Sequence, residues 1–167
     1  ADSTWHAQKG LEALKVQFEG GATAGLDQEE LGRRFVTSLD DMGKTELSGE
    51  KVLDLEYEIQ FLSHAAIEPI NCTAFVSDNS CEVWGPFQGQ TKTLKKVKEI
   101  TGLSEDQILV HTTYAGGGFG RKNKTDFLEQ AVIISMTLKK PVQVMWSREE
   151  DMRSEERRVG KECRSRW

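Results

Sequence analysis

Apolar positions recur along the chain at two periods, and each period predicts an element. Ala7, Leu11 and Leu14 share one face of a helix predicted from Trp5 to Leu14. Lys15-Val-Gln-Phe-Glu19 alternates, predicting a strand stopped by Gly20 and Gly21. A second helix starts near Leu26. Asp27 is placed to cap it with Glu30 three positions on, and Leu31, Phe35 and Leu39 repeat every fourth residue until Gly43. Leu53, Leu55, Tyr57 and Ile59 form one apolar face, so 52–59 reads as a half-buried strand. The apolar character of 61–76 implies burial, with Pro69 restricting the backbone. Ser77-Asp-Asn-Ser80 is a turn cluster, and 71–84 reads as a hairpin that Pro86 ends.

Gln90 to Ile100 is predicted helical, with Leu94 and Val97 inward and Gly102 closing it. A strand over Gln107 to Val110 follows. Thr125 to Leu138 is the most apolar helix, with Phe127, Leu128, Ala131, Val132, Ile134, Ser135 and Leu138 inward. Pro141 to Trp146 is a strand. Trp84 and Trp146 on their strands read as core residues, and His111 on its own strand as a satisfied core or edge residue. Helices and strands alternate through much of the chain, so the expected class is α+β, a mixed α/β fold. The expected organisation is a helix–strand–helix region over 1–50, a domain over 51–152 and a tail over 153–167.

Composition narrows the function classes. A net charge of −5 argues against a general binder of nucleic acid or membrane surfaces. No run of 18 apolar residues exists, so no transmembrane segment is expected. The first residues show no signal peptide, but the chain also lacks an initiator Met, so the absent signal says nothing about the compartment. Cys72, Cys81 and Cys163 form no C-x-x-C pair, and His6, His64 and His111 are scattered, which disfavours zinc or redox dithiol chemistry. A tight turn at Ser77–Ser80 would set Cys81 against Val76 rather than Cys72, so no disulfide is expected. The last residues, from Arg153, hold six basic and three acidic side chains, so the −5 of the whole chain becomes −8 over 1–152. That tail reads like a translated sequencing adapter and is left out of fold reasoning.

The stretch with most chemistry is Val110-His-Thr-Thr-Tyr-Ala-Gly-Gly-Gly-Phe-Gly-Arg121. It reads as strand, glycine loop, helix. Three adjacent glycines imply positive φ or close backbone approach, and a loop of N–H groups leading to a helix start suits an anion. Neither common glycine motif fits, because both need Gly where Arg121 stands. Taken alone, the loop is either an anion-binding loop or a tight structural turn.

Five motifs in order carry a wider resemblance. They are Phe61-Leu-Ser-His-Ala-Ala-Ile-Glu-Pro-Ile-Asn-Cys-Thr-Ala74, Cys81-Glu-Val-Trp-Gly-Pro-Phe-Gln88, Gly116-Gly-Gly-Phe-Gly-Arg121, Asp126-Phe127 and Pro141-Val-Gln-Val-Met-Trp-Ser-Arg-Glu-Glu-Asp151. Over roughly residues 50–152 the chain resembles the molybdenum-binding large subunit of the xanthine dehydrogenase and aldehyde oxidase family, in the branch of isoquinoline 1-oxidoreductase beta subunits. The resemblance implies the N-terminal part of a molybdopterin-binding domain, truncated. It also implies a molybdenum hydroxylase that inserts water-derived oxygen into aldehydes or N-heterocycles. Its cofactor would be molybdenum-molybdopterin in the cytosine dinucleotide form, with electrons leaving through 2Fe-2S clusters on a small partner subunit.

By the same resemblance, Gln88 is the glutamine whose amide donates to a molybdenum-bound oxygen. Gly117, Gly118, Phe119 and Gly120 approach the cofactor through their backbone, and Arg121 pairs with a cofactor phosphate or a carboxylate. Without the flanking motif Gln88 would be an ordinary loop glutamine, and Arg121 alone would be a solvated cation. His64 and Glu68 are expected as buried polar structure, with Glu68 lining the cofactor region. Cys72 and Cys81 are expected as small buried hydrophobes, and Asp126 as a first-turn carboxylate. The family's general base, a glutamate, is expected beyond this chain, so the fragment holds no catalytic residue and is expected to be inactive alone. The competing reading is a non-catalytic module that binds an anion or nucleotide on the Gly116–Gly120 loop.

Overall fold

A hairpin is the centre of the fold. A computed structural model of the chain describes residues 1–17, 21, 26–41, 55, 57 and 62–154. Strands β1 (Asn71–Val76) and β2 (Cys81–Gly85) pair antiparallel with Val76 opposite Cys81. Ser77 closes the turn, its N–H donating to the Ser80 carbonyl at 2.8 Å. Helix α3 (Gln90–Thr101) follows and ends at Gly102, whose φ of 72° lets its N–H reach the Lys98 carbonyl. Strand β3 (Ile108–Thr112) then pairs parallel to β2, helix α4 (Asp126–Leu138) crosses back, and β4 (Val142–Met145) pairs antiparallel to β1. The sheet order is β3-β2-β1-β4.

One face of this sheet carries the core. Cys72, Ala74 and Val76 of β1 and Cys81 and Val83 of β2 point inward, as strand alternation requires. They meet Val97 of α3 and Phe127, Leu128, Ala131 and Val132 of α4, all fully buried. Ser135 is buried without penalty: its hydroxyl accepts from the Val76 N–H and donates to the Lys140 carbonyl. Ile134 and Leu138, expected inward, are exposed, since Ile134 lies at the margin of the buried stripe and Leu138 is the last helical residue. On the other face Trp84 is half-buried and stacks on His111 at 4.9 Å, and His111 sits 3.1 Å from Glu82.

The chain divides into two units, Ala1–Asp54 and Leu55–Trp167. The first holds helix α1 (Thr4–Ala13), capped by the Ser3 hydroxyl, and helix α2 (Gln28–Asp41), capped by the Asp27 carboxylate on the Glu30 N–H at 2.8 Å. Glu30 turns away from the cap to Arg33 and Arg34. The strand expected from Lys15 is not formed over Lys15 to Gln17; alternation makes a strand only where a neighbour supplies a ladder, and these residues are exposed without one. The rest of that strand, Gly43, most of the strand expected over 52–59, Phe61 and the tail from 155, with Cys163, lie outside the described residues. Leu55 and Tyr57 are exposed and outside regular structure.

Candidate functional site

Strand directions bring four segments to one end of the sheet. The carboxyl ends of β2 and β3 lie together because the two are parallel. Antiparallel pairing puts the start of β1 and the end of β4 there too. Gln88 leaves β2, the glycine loop leaves β3, Glu68 precedes β1, and Trp146 to Asp151 follow β4. Ligands of open sheets with parallel strands gather at such an end.

Two side chains hold the glycine loop. Gln88 accepts the Gly120 N–H at 3.1 Å and the Lys122 N–H at 3.2 Å on one oxygen, Oε1. Two N–H donors settle which end of the amide is oxygen. Its nitrogen makes no hydrogen bond among the described residues, and the side chain is exposed. At the other end Glu68 accepts the Gly116 N–H at 2.7 Å and the Asn71 amide at 3.1 Å, while its own N–H donates to the Gly116 carbonyl. Glu68 also pairs with the fully buried Lys122 ammonium. Burial pushes the Glu68 carboxyl up, but its bonds to Lys122, Gly116 and Asn71 together outweigh that and hold it below the ordinary glutamate value.

The glycines are needed for contact. A Cβ on Gly116 would lie 2.7 Å from the Glu68 Cβ, and one on Gly118 would lie 2.6 Å from Gln88 Oε1. Gly117 and Gly120 sit at φ 93° and 96°, and Phe119 between them at φ 51° with its ring exposed. Among the described residues the N–H groups of Gly117, Gly118 and Phe119 make no hydrogen bond, although Gly118 is buried. Buried backbone donors are rarely left so. Among the described residues, these three adjacent N–H groups and the Gln88 amide nitrogen form a donor-rich cradle. Such a surface accepts an oxygen-rich, anionic group.

Gln88, Gly117, Gly118, Phe119, Gly120 and Arg121 thus come together, but Arg121 differs from the rest. Its side chain is buried and bound in two parallel hydrogen bonds to Asp126, 3.1 and 3.0 Å, over the Trp146 ring. It is neither solvated nor turned to the cradle, so only its backbone belongs to the loop. Asp151 lies 3.7 Å from the Arg121 Nε and also binds Arg148, which donates to the Ala66 and Ile67 carbonyls at 2.5 and 2.9 Å. A short 3-10 turn, Arg121–Asn123, separates the loop from α4, so the loop does not open directly onto that helix. His64, expected buried, is exposed, because the backbone turns at Ala65 (φ 45°) and sends Glu68 inward instead. Burial and Cys81 push the Cys72 thiol up to about 12, and burial and Glu82 push Cys81 to about 11. Both are buried and free, the setting of a structural rather than a reactive cysteine. Sequence reasoning passed over Lys122, because it stands in Arg121-Lys-Asn-Lys124, a run that reads as solvated charge.

A family model described as the molybdopterin cofactor-binding domain matches residues 30–166. The chain belongs to that family. It is 30% identical over 115 residues to the isoquinoline 1-oxidoreductase subunit beta of Brevundimonas diminuta, which covers 68% of this chain and 15% of that protein. It is 28% identical over 165 residues to the membrane-bound aldehyde dehydrogenase (pyrroloquinoline-quinone) of Gluconacetobacter polyoxogenes, 91% of this chain and 21% of that one. The solved Cu,Mo-CO dehydrogenase in its carbon monoxide reduced state aligns with a TM-score of 0.51 at 30% identity, over 54% of this chain and 12% of its own. Xanthine dehydrogenases are among the further relatives. The chain thus spans about a fifth or less of the length of these proteins. The cradle suits the cofactor its family is named for: its donors are neutral, and glycines keep its space open.

Proposed function

We propose that this chain holds the molybdenum end of molybdopterin within the large subunit of a molybdenum hydroxylase. The arrangement of Gln88 supports this most. Its oxygen is consumed by the loop, so its exposed amide nitrogen is left as a fixed neutral donor beside three backbone N–H groups. Gln88 would orient a metal-bound oxygen, and Gly117, Gly118 and Phe119 would bind the cofactor through N–H groups, with Gly120 and the Arg121 backbone completing the turn. When bound, the molybdenum centre supplies oxygen transfer to an electron-poor carbon and takes up two electrons. The substrate class is an aldehyde or N-heterocycle, the cofactor the cytosine dinucleotide form, and the electron acceptor a 2Fe-2S partner subunit. A general base from outside this chain completes the site.

The test is metal and pterin analysis of the complete subunit containing this chain, co-expressed with its iron–sulfur partner in molybdate medium. Stoichiometric molybdenum, lost in Gly118→Val, is expected. A well-folded protein without molybdenum that binds phosphate or a nucleotide saturably would favour the anion-binding module instead.

A further inference from the structure

We infer that Glu68 and Lys122 are positioning residues that lock the two ends of the glycine loop together, so that the Gln88 amide and the loop N–H groups face one point. The inference rests on the molybdopterin reading above. Lys122 is the hub. Its N–H donates to Gln88 Oε1, its carbonyl accepts the Gln88 N–H at 3.2 Å, and its ammonium reaches Glu68. Glu68 in turn grips Gly116 from both sides, by carboxylate and by N–H. One continuous path of bonds therefore runs from Gly116 through Glu68, Lys122 and Gln88 to Gly120, around the three N–H groups that have no partner among the described residues.

The physical case is the placement of the charge. A fully buried ammonium is costly unless a carboxylate meets it. Here that carboxylate is the one that holds the first glycine, so the two ends cannot separate without stranding a charge. A pair serving stability alone needs no loop N–H on the same oxygen, yet Gly116 shares Glu68 Oε2 with Lys122.

Three variants of the complete subunit test this: Glu68→Asp, Glu68→Gln and Lys122→Met. Glu68→Asp keeps the charge but is too short to reach Gly116 and Lys122 at once. Two readouts are taken, hydrogen exchange at Gly116–Lys122 in the cofactor-free protein, and turnover per bound molybdenum. Loop exchange is expected to rise about tenfold or more in each variant, and turnover per molybdenum to fall on the order of 10- to 100-fold, the usual cost of misplacing a supporting group. Unchanged exchange, or faster exchange with wild-type turnover per molybdenum, overturns the proposal. If Lys122→Met does not fold, Glu68→Asp decides. If wild-type protein carries no molybdenum, the cofactor reading fails, and exchange alone decides the lock.

Discussion

Glu68 and Gln88 do the same mechanical work in different chemical forms. Glu68 receives one loop N–H, at 2.7 Å, and Gln88 receives two N–H groups on a single oxygen, at 3.1 and 3.2 Å. The carboxylate has only acceptors, and a buried ammonium balances it. The carboxamide brings no charge and keeps a donor free of the loop. The difference separates two jobs: the charged side anchors, and the neutral side presents. An anion at the Gln88 position would hold the loop as well but would repel an anionic cofactor.

Two glycine substitutions sharpen this contrast. Gly116→Ala drives a Cβ to 2.7 Å from the Glu68 Cβ, close to the backbone where little can yield. We expect a loss of about 1–3 kcal/mol, read as a lower thermal midpoint. Gly118→Ala meets the end of a flexible side chain, 2.6 Å from Gln88 Oε1. Gln88 would swing aside and give up its two loop bonds to water, so stability should change by only about 1 kcal/mol, while molybdenum retention falls. If the two behave alike, the division between anchor and presenter is wrong.

Acid gives a smaller effect confined to the Glu68 side. The folded-state Glu68 value lies below the unfolded one. Its contribution is therefore fully present above the ordinary value of about 4.3 and is lost as pH falls through the lower folded value. Wild-type protein should lose stability across that window, and Glu68→Gln should show a flatter profile in denaturant titrations. The smallest effect is at Cys72 and Cys81. With thiols near 12 and 11 and fully buried, they should resist a thiol reagent at pH 8 until the protein unfolds.

Much of this was legible before any coordinates. The hairpin, α3, α4 and β4 follow from local period and turn residues, and Pro86 and Gly102 mark their ends where expected. The motif around Gln88 and the glycine loop pointed to one site. What the sequence hid is long-range. Nothing local says that β3 pairs with β2 in parallel, although that pairing puts Gln88 beside the loop. Lys122 and Glu68 lie 54 positions apart, and a lysine among charged neighbours looks solvated. Arg121 reads as pairing with a phosphate or a carboxylate, and only the fold shows that the partner is the Asp126 carboxylate, five residues on.

The most direct test of the central claim is turnover per bound molybdenum in Gln88→Ala, measured in the complete subunit with its partner. The variant should keep its fold and most of its metal, and lose about 100- to 1000-fold in turnover, the usual cost of removing a fixed donor to a reacting oxygen. Wild-type turnover per molybdenum in that variant would contradict the assignment of Gln88 as the presenting donor.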